Sequence, residues 1–265
     1  MLDALLKLQR KASRACERLI YRADLALHGR QGSVDGIKLL LPKRTLSTDM
    51  AYRLLHGGID GEDRRLLPRY AVPGDFVLNI GGGCGLSAMA AWRQVQPGGA
   101  VVVVEPDPLM HDLERRNFEI NGMGTIRSIN AAAVADRHTK EVTFYRKKNY
   151  HGSNLLHTDG EGRAMQVAAV FPPDLIEANC PGRRILLCDV EGYETTLLAK
   201  SEIVDCFDLI ITELHFCIHP KDRVSPLVGM FDHLFSRGFK IIDIDDEGFV
   251  FEKIPSAERA APVPA

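Results

Sequence analysis

The 265-residue chain is 45% hydrophobic and 26% charged, with 23 Gly, 14 Pro and a formal net charge of -2. That balance belongs to a soluble globular protein with one main domain, and it excludes the strong basic excess of a dedicated nucleic-acid binder. None of the six cysteines forms a C-x-x-C pair, so free thiols in a reducing, cytoplasmic setting are expected. No stretch is long and apolar enough to span a membrane.

The chain begins with Leu2, Leu5, Leu6, Leu19, Ile20, Ala23 and Leu27 near helical spacing, with Lys7, Arg10, Arg14 and Arg18 between them. This amphipathic helix is expected to pack on the domain or on a second copy of the chain, which leaves room for a homo-oligomer. It opens a mixed lead-in over residues 1–70 that includes an extended segment at Val34–Leu41 and a short helix at Asp60–Tyr70. The main domain spans residues 71–254. Its first strand, Phe76–Ile80, leads through a glycine cluster into a helix over Leu86–Val95.

Val101–Glu105 reads as a strand buried on both faces, and Pro108–Asn121 as the next helix. Ile126–Val134, Val142–Arg146, Ile185–Val190 and Leu209–Leu214 are further strands. Helices are expected from Tyr193 to Lys200 and from Ser225 to Arg237, before a closing hairpin of Lys240–Ile244 and Phe249–Ile254. The alternation specifies a Rossmann-like α/β fold with a mainly parallel seven-stranded sheet, helices on both faces and one antiparallel addition at an edge. The Pro/Ala-rich stretch 255–265 is expected to be a disordered tail.

Chemistry concentrates at the carboxyl ends of the strands, where open α/β sheets bind ligands. Asn79-Ile80-Gly81-Gly82-Gly83-Cys84-Gly85 joins a strand to a helix, and Glu105 ends the next strand, placed to accept hydrogen bonds from both hydroxyls of a ribose. A dinucleotide pattern G-x-G-x-x-G started at Gly81 meets Leu86 where it needs a small residue; started at Gly83 it fits in part. The methyltransferase pattern acidic-x-G-x-G-x-G is met by Gly81, Gly83 and Gly85, with Asn79 in the acidic position. Asparagine can still accept a hydrogen bond but brings no charge for the cofactor's ammonium group.

Two later strand ends, Asp189-Val190-Glu191 and Glu213-Leu214-His215, pair polar residues two apart, so each pair can share a face. Asp189, Glu213 and His215 are the expected catalytic residues, with His215, at an ordinary pKa of ~6.5, the best proton acceptor. The same three are chemically suited to a divalent Mg, Mn or Fe ion. The blander reading makes Glu191 a cap for the following helix and His215 an ordinary loop residue.

At these motifs the chain resembles the FkbM-type methyltransferase family. The resemblance runs from Val34 to Ile254 through Val77–Ser87, Glu105-Pro106, Asn121-Gly122, Cys188-Asp189-Val190-Glu191-Gly192-Tyr193-Glu194 and Ile211–His215. It implies S-adenosyl-L-methionine as cofactor and O-methylation of a small molecule, natural product or sugar. It further implies that Gly81, Gly83 and Gly85 approach the methionine part, Glu105 the ribose and Ala133 the adenine, with Asp189 between cofactor and acceptor. Tyr150, Ser153 and Glu191 are the expected acceptor-side residues. A nicotinamide-dependent oxidoreductase or epimerase, and a cofactor-binding module without catalysis, share the glycine-loop layout and remain the alternatives.

Overall fold

The computed structural model describes residues 30–43, 45–56, 61–147, 152–156, 162–177, 181–215 and 224–255. The amphipathic helix expected at the amino terminus lies outside the described residues, as does the tail beyond Pro255.

The segment expected as one extended stretch is an antiparallel hairpin of Gln31–Val34 (β1) and Ile37–Leu40 (β2). Its turn falls on Asp35 and Gly36, both at positive φ, the geometry an Asp-Gly pair favours. Thr48–Leu55 (α1) follows, a helix absent from the sequence reading of the lead-in. Ser47 caps it, its hydroxyl accepting from the Met50 N–H at 3.2 Å. Gly61–Tyr70 (α2) occupies the expected short helix and buries Leu66 and Leu67 completely.

Phe76–Ile80 (β3), Leu86–Val95 (α3), Ala100–Val104 (β4), Pro108–Ile120 (α4) and Arg127–Ile129 (β5) form the first half of the main sheet. The strand expected over Ile126–Val134 breaks in two. Asn130 donates to the carbonyls of Glu105 and Pro106 at 2.8 and 3.2 Å, and beyond it Ala132–Ala133 (β6) belongs to another sheet. There β6 pairs with Arg163–Val170 (β8), which pairs in turn with Glu141–Arg146 (β7). Strand β8 escapes sequence patterning because its Arg-Ala-Met-Gln-Val-Ala-Ala-Val run carries few β-branched or aromatic residues.

The second half comprises Arg184–Cys188 (β9), Glu194–Leu197 (α5), Ser201–Val204 (α6), Leu209–Glu213 (β10), Val224–Ser236 (α7), Phe239–Asp245 (β11) and Gly248–Lys253 (β12). The helix expected over Tyr193–Lys200 ends early and restarts, because Lys200 takes an extended conformation. The main sheet runs β11-β12-β10-β9-β3-β4-β5 and is seven-stranded, Rossmann-like and mainly parallel. Strand β12 is antiparallel to both neighbours and lies between β10 and β11, so the antiparallel strand sits inside the edge rather than on it.

Alternation along the central strands divides the core. Val77, Val103, Ile185, Leu187 and Ile211 face one side with residues of α1 to α4, while Leu78, Val104, Leu186 and Ile210 face the other with residues of α6 and α7. Burial on both faces is why these strands read as unbroken apolar runs. The lead-in is part of this packing: Leu39, Leu54 and Leu66 belong to the same cluster as Val77. Among the described residues no helix is long and apolar enough to cross a membrane. Cys84 and Cys188 are buried free thiols, and Cys206 is a half-buried one.

Candidate active site

Strands β3 and β9 are parallel neighbours whose connections leave in opposite directions, toward β4 and toward β10. Their carboxyl ends therefore open a crevice at the point where strand order reverses. A cleft lies there, with Gly81, Gly83, Glu105, Ala133, Asp189 and Glu191 among its lining. Phe144, Ser153 and Asn154 contribute a wall from the β7–β8 region.

The glycine loop is shaped by close backbone approach. Gly81 has φ +94°, and a Cβ there would stand 1.7 Å from the carbonyl oxygen of Asp189. The loop thus crosses the end of β9 at a separation only glycine permits. Behind it, a Cβ on Gly82 would fall 2.3 Å from the Glu114 carboxylate. Gly85 caps α3 in a left-handed conformation and is not among the residues lining the cleft.

Glu105 is 6% exposed. Its Oε2 accepts from the Gly83 N–H and its Oε1 from the Asp107 N–H, both at 2.7 Å. Burial pushes its carboxyl up to about 8 even though both hydrogen bonds pull the other way. Each oxygen keeps a further lone pair for a ligand hydroxyl. Asn79 is buried, and its Oδ1 has no hydrogen-bond partner among the described residues.

The opposite side of the cleft crowds like charges. Burial, then Glu213 and Glu191, raise the Asp189 carboxyl well above the usual range. Its Oδ1 is buried without a hydrogen-bond partner among the described residues, the nearest ring nitrogen of His215 being 3.9 Å away. Glu191 has φ 53°, a left-handed conformation that costs a non-glycine residue on the order of 1–3 kcal/mol. Its Oε1 accepts from the Gly152 N–H at 2.7 Å, which ties the β7–β8 loop to the end of β9. Glu191 does not cap the following helix, whose N-cap, Tyr193, makes no side-chain cap hydrogen bond; Glu194 Oε1 instead accepts from the Val190 N–H at 2.8 Å, which ties the helix back to the end of β9.

His215 and Glu213 are not among the residues lining the cleft; they stand behind Asp189 and Glu191. His215 lies 3.4 Å from Glu191, 3.5 Å from Glu213 and 3.2 Å from Glu194. Burial opposes its charge. The hydrogen bond to Glu194 and the charges of Glu194, Glu191 and Glu213 outweigh that, and the ring titrates at about 9. The near-neutral value expected from sequence is thus corrected upward by acids gathered from two strand ends. The ligating atoms of Asp189, Glu191 and His215 lie within 4.8 Å of one another, so the tightest candidate metal set has Glu191 where the sequence grouping has Glu213.

Ser153 lines the cleft, its Oγ accepting from the Lys147 N–H at 2.9 Å; Tyr150 lies outside the described residues. The site also holds two buried acids that sequence reasoning does not single out. Glu194 is 1% exposed, and its signal is present as the last residue of the Asp-Val-Glu-Gly-Tyr-Glu string. Asp63, 4% exposed, reaches the cleft from α2, and no sequence pattern links that helix to the glycine loop. Burial raises its carboxyl to about 6 against a hydrogen bond from the Ser87 side chain.

No protein-family model matches the sequence, and no curated protein matches it. Among solved structures the chain is similar to TrmN from Thermus thermophilus, at 16% identity and a TM-score of 0.43, covering 72% of this chain and 48% of that one. The chain therefore spans about half the length of TrmN. It is similar to TYW2 from M. jannaschii, solved with AdoMet, at 11% identity and TM-score 0.46, covering 84% and 86%. It is also similar to an O-methyltransferase from Bacillus cereus, solved with SAH, at 14% identity and TM-score 0.43, covering 80% and 83%.

Proposed function

We propose that the chain is an S-adenosyl-L-methionine-dependent O-methyltransferase acting on a hydroxyl group of a small molecule or sugar. The observation that carries this reading is the junction of two surfaces at the β3–β9 switch point. One is a backbone-lined pocket closed by a buried carboxylate; the other is an acidic face suited to an uncharged or cationic acceptor.

The residues present fit the cofactor. The Glu105 oxygens retain lone pairs for ribose hydroxyls and Ala133 offers a small apolar wall for adenine; Asn79, whose buried Oδ1 has no hydrogen-bond partner among the described residues, is not among the residues lining the cleft. Gly81 and Gly83 allow the methionine part to approach the loop. When bound, the cofactor would supply a sulfonium methyl group open to in-line attack by an acceptor oxygen, with S-adenosylhomocysteine as the leaving thioether. Holding that oxygen at attack distance can contribute about 7–11 kcal/mol, and Asp189, Glu191 and Ser153 on the cleft wall are the residues that hold it.

The acceptor hydroxyl must also lose a proton. Asp189, with its raised affinity for protons and its unpartnered oxygen, receives it at the cleft. His215 stands behind it as a charged imidazole that favours the ionised form of Asp189 and of the acids around it. None of the described residues lining the cleft is Lys or Arg, which disfavours a polyanionic acceptor such as a nucleic acid.

A divalent ion held by Asp189, Glu191 and His215 is the second reading of this face, favoured by their mutual distances. The test is release of S-adenosylhomocysteine over a panel of sugars and hydroxylated metabolites, with and without chelator. Turnover on a hydroxylated acceptor supports the proposal, and its loss on chelation assigns the metal. Calorimetry showing affinity for NAD and none for S-adenosylmethionine would replace it with the oxidoreductase reading.

A further inference from the structure

Position 79 is the place from which a carboxylate ordinarily serves a cofactor's ammonium group in the acidic-x-G-x-G-x-G pattern, and in this chain it is an amide. Asn79 is 1% exposed and can accept a hydrogen bond without supplying a counter-charge. A buried ammonium held by neutral acceptors alone is costly. An anion close by is therefore required if the zwitterionic end of the cofactor is to enter the loop.

Helix α2 brings one. Asp63 is 4% exposed and lines the same cleft as Gly81, Gly83 and Ser87. The Ser87 side chain, in the first turn of α3, donates to its carboxylate. Among the described residues Asp63 makes no ion pair, and the adjacent Arg64 is engaged with Asp35. A buried carboxylate with one hydroxyl donor, no cation and an opening onto a ligand cleft is under-satisfied, since an ionised carboxylate has about four acceptor sites.

We propose that Asp63 is the anionic partner of the cofactor's α-ammonium group, supplying from helix α2 the charge that Asn79 lacks in the sheet. Asp63 then accepts from the ammonium at the cleft, and Ser87 orients the carboxylate. This rests on the S-adenosylmethionine reading of the cleft and adds to it the residue that recognises the amino-acid end of the ligand.

The test is calorimetry with two product-like ligands of the same nucleoside. S-adenosylhomocysteine carries the amino-acid end; 5′-methylthioadenosine lacks it. Asp63→Asn should weaken S-adenosylhomocysteine by at least about tenfold, the value of a charge-assisted bond, while 5′-methylthioadenosine changes by less than about twofold. Adding Asn79→Asp to that variant should recover most of the loss, because the charge is returned from the sheet. Equal weakening of both ligands makes Asp63 a packing residue and overturns the proposal, as does a variant that binds both like the parent or one that Asn79→Asp does not rescue.

The parent protein alone gives a further check that needs no folded variant. S-adenosylhomocysteine without its α-amino group should bind at least about tenfold more weakly than the intact ligand, and equal binding overturns the proposal. A parent that binds neither nucleoside overturns the cofactor reading, and this proposal falls with it.

Discussion

Around Gly81–Glu105 the chain positions its ligand-facing groups with main-chain hydrogen bonds, whereas around Asp189–His215 it presses carboxylates against one imidazole. On the first side, Glu105 takes one N–H from the glycine loop and one from the turn before α4. On the second side, Asp189 has an oxygen with no hydrogen bond, Glu191 has a left-handed backbone, and His215 stands within 4 Å of four acids. In the first arrangement main-chain donors already fix the Glu105 carboxyl in place. The second is electrostatically unresolved without a cation or a shared proton, as expected where proton transfer is the task.

The comparison can be broken most severely at Gly81. A methyl group there meets the Asp189 carbonyl at 1.7 Å in a backbone region hostile to side chains, so Gly81→Ala must move the loop or the end of β9. We expect a loss of about 2–4 kcal/mol in unfolding free energy and no calorimetric binding of S-adenosylhomocysteine. Parent-like affinity in a stable variant would mean that the loop is not the cofactor surface.

On the charged side, His215→Ala should lower kcat about a hundredfold while leaving cofactor affinity unchanged, because His215 does not line the cleft. The pH profile sharpens this. Asp189 must be ionised to accept a proton, which gives an acid limb. His215 must stay charged to support it, which gives an alkaline limb near 9 that the variant lacks. A parent rate that climbs through 9 to a plateau would instead make the neutral imidazole the base.

Glu105→Ala removes a carboxylate expected to hold two ribose hydroxyls. It should weaken S-adenosylhomocysteine at least about tenfold with kcat at saturation little changed. Equal affinity for parent and variant would relocate the ribose.

The smallest expected effect is on stability. Asp63 and Glu105 titrate at about 6 and about 8, and Glu114 well above its ordinary value, all through burial. Such acids hold protons in the folded state that the unfolded chain has released above about 4.5. His215 acts in the same direction, its contribution being present below the unfolded value near 6.5 and lost as pH rises through about 9. Folding stability should therefore fall as pH rises from about 5 to 9, and thermal denaturation across that range checks it. A ligand carrying a cation into the cleft should flatten the slope.

How much of this is legible in the sequence differs between the two sides for a physical reason. The glycine loop, the ribose carboxylate and the core strands are written locally, because backbone freedom and two-sided burial each demand particular residue types at fixed spacing. Val101 to Val104 and the run from Gly81 to Gly85 leave few alternatives. The sequence also marks Asp189, Glu191, Glu213 and His215 as strand-end polar residues. Only the tertiary structure decided that Glu191 and Asp189 line the cleft while His215 stands behind them, since turning at Gly192 and packing Glu194 beneath it are long-range outcomes. It also decided where β6 goes, because Asn130 anchors to the carbonyls after β4. Asp63 depended wholly on tertiary packing. It sits on a short helix of weak pattern, and only the docking of α2 beside α3 and β10 carries its carboxylate to the cleft. Spacing along the chain does not encode that distance.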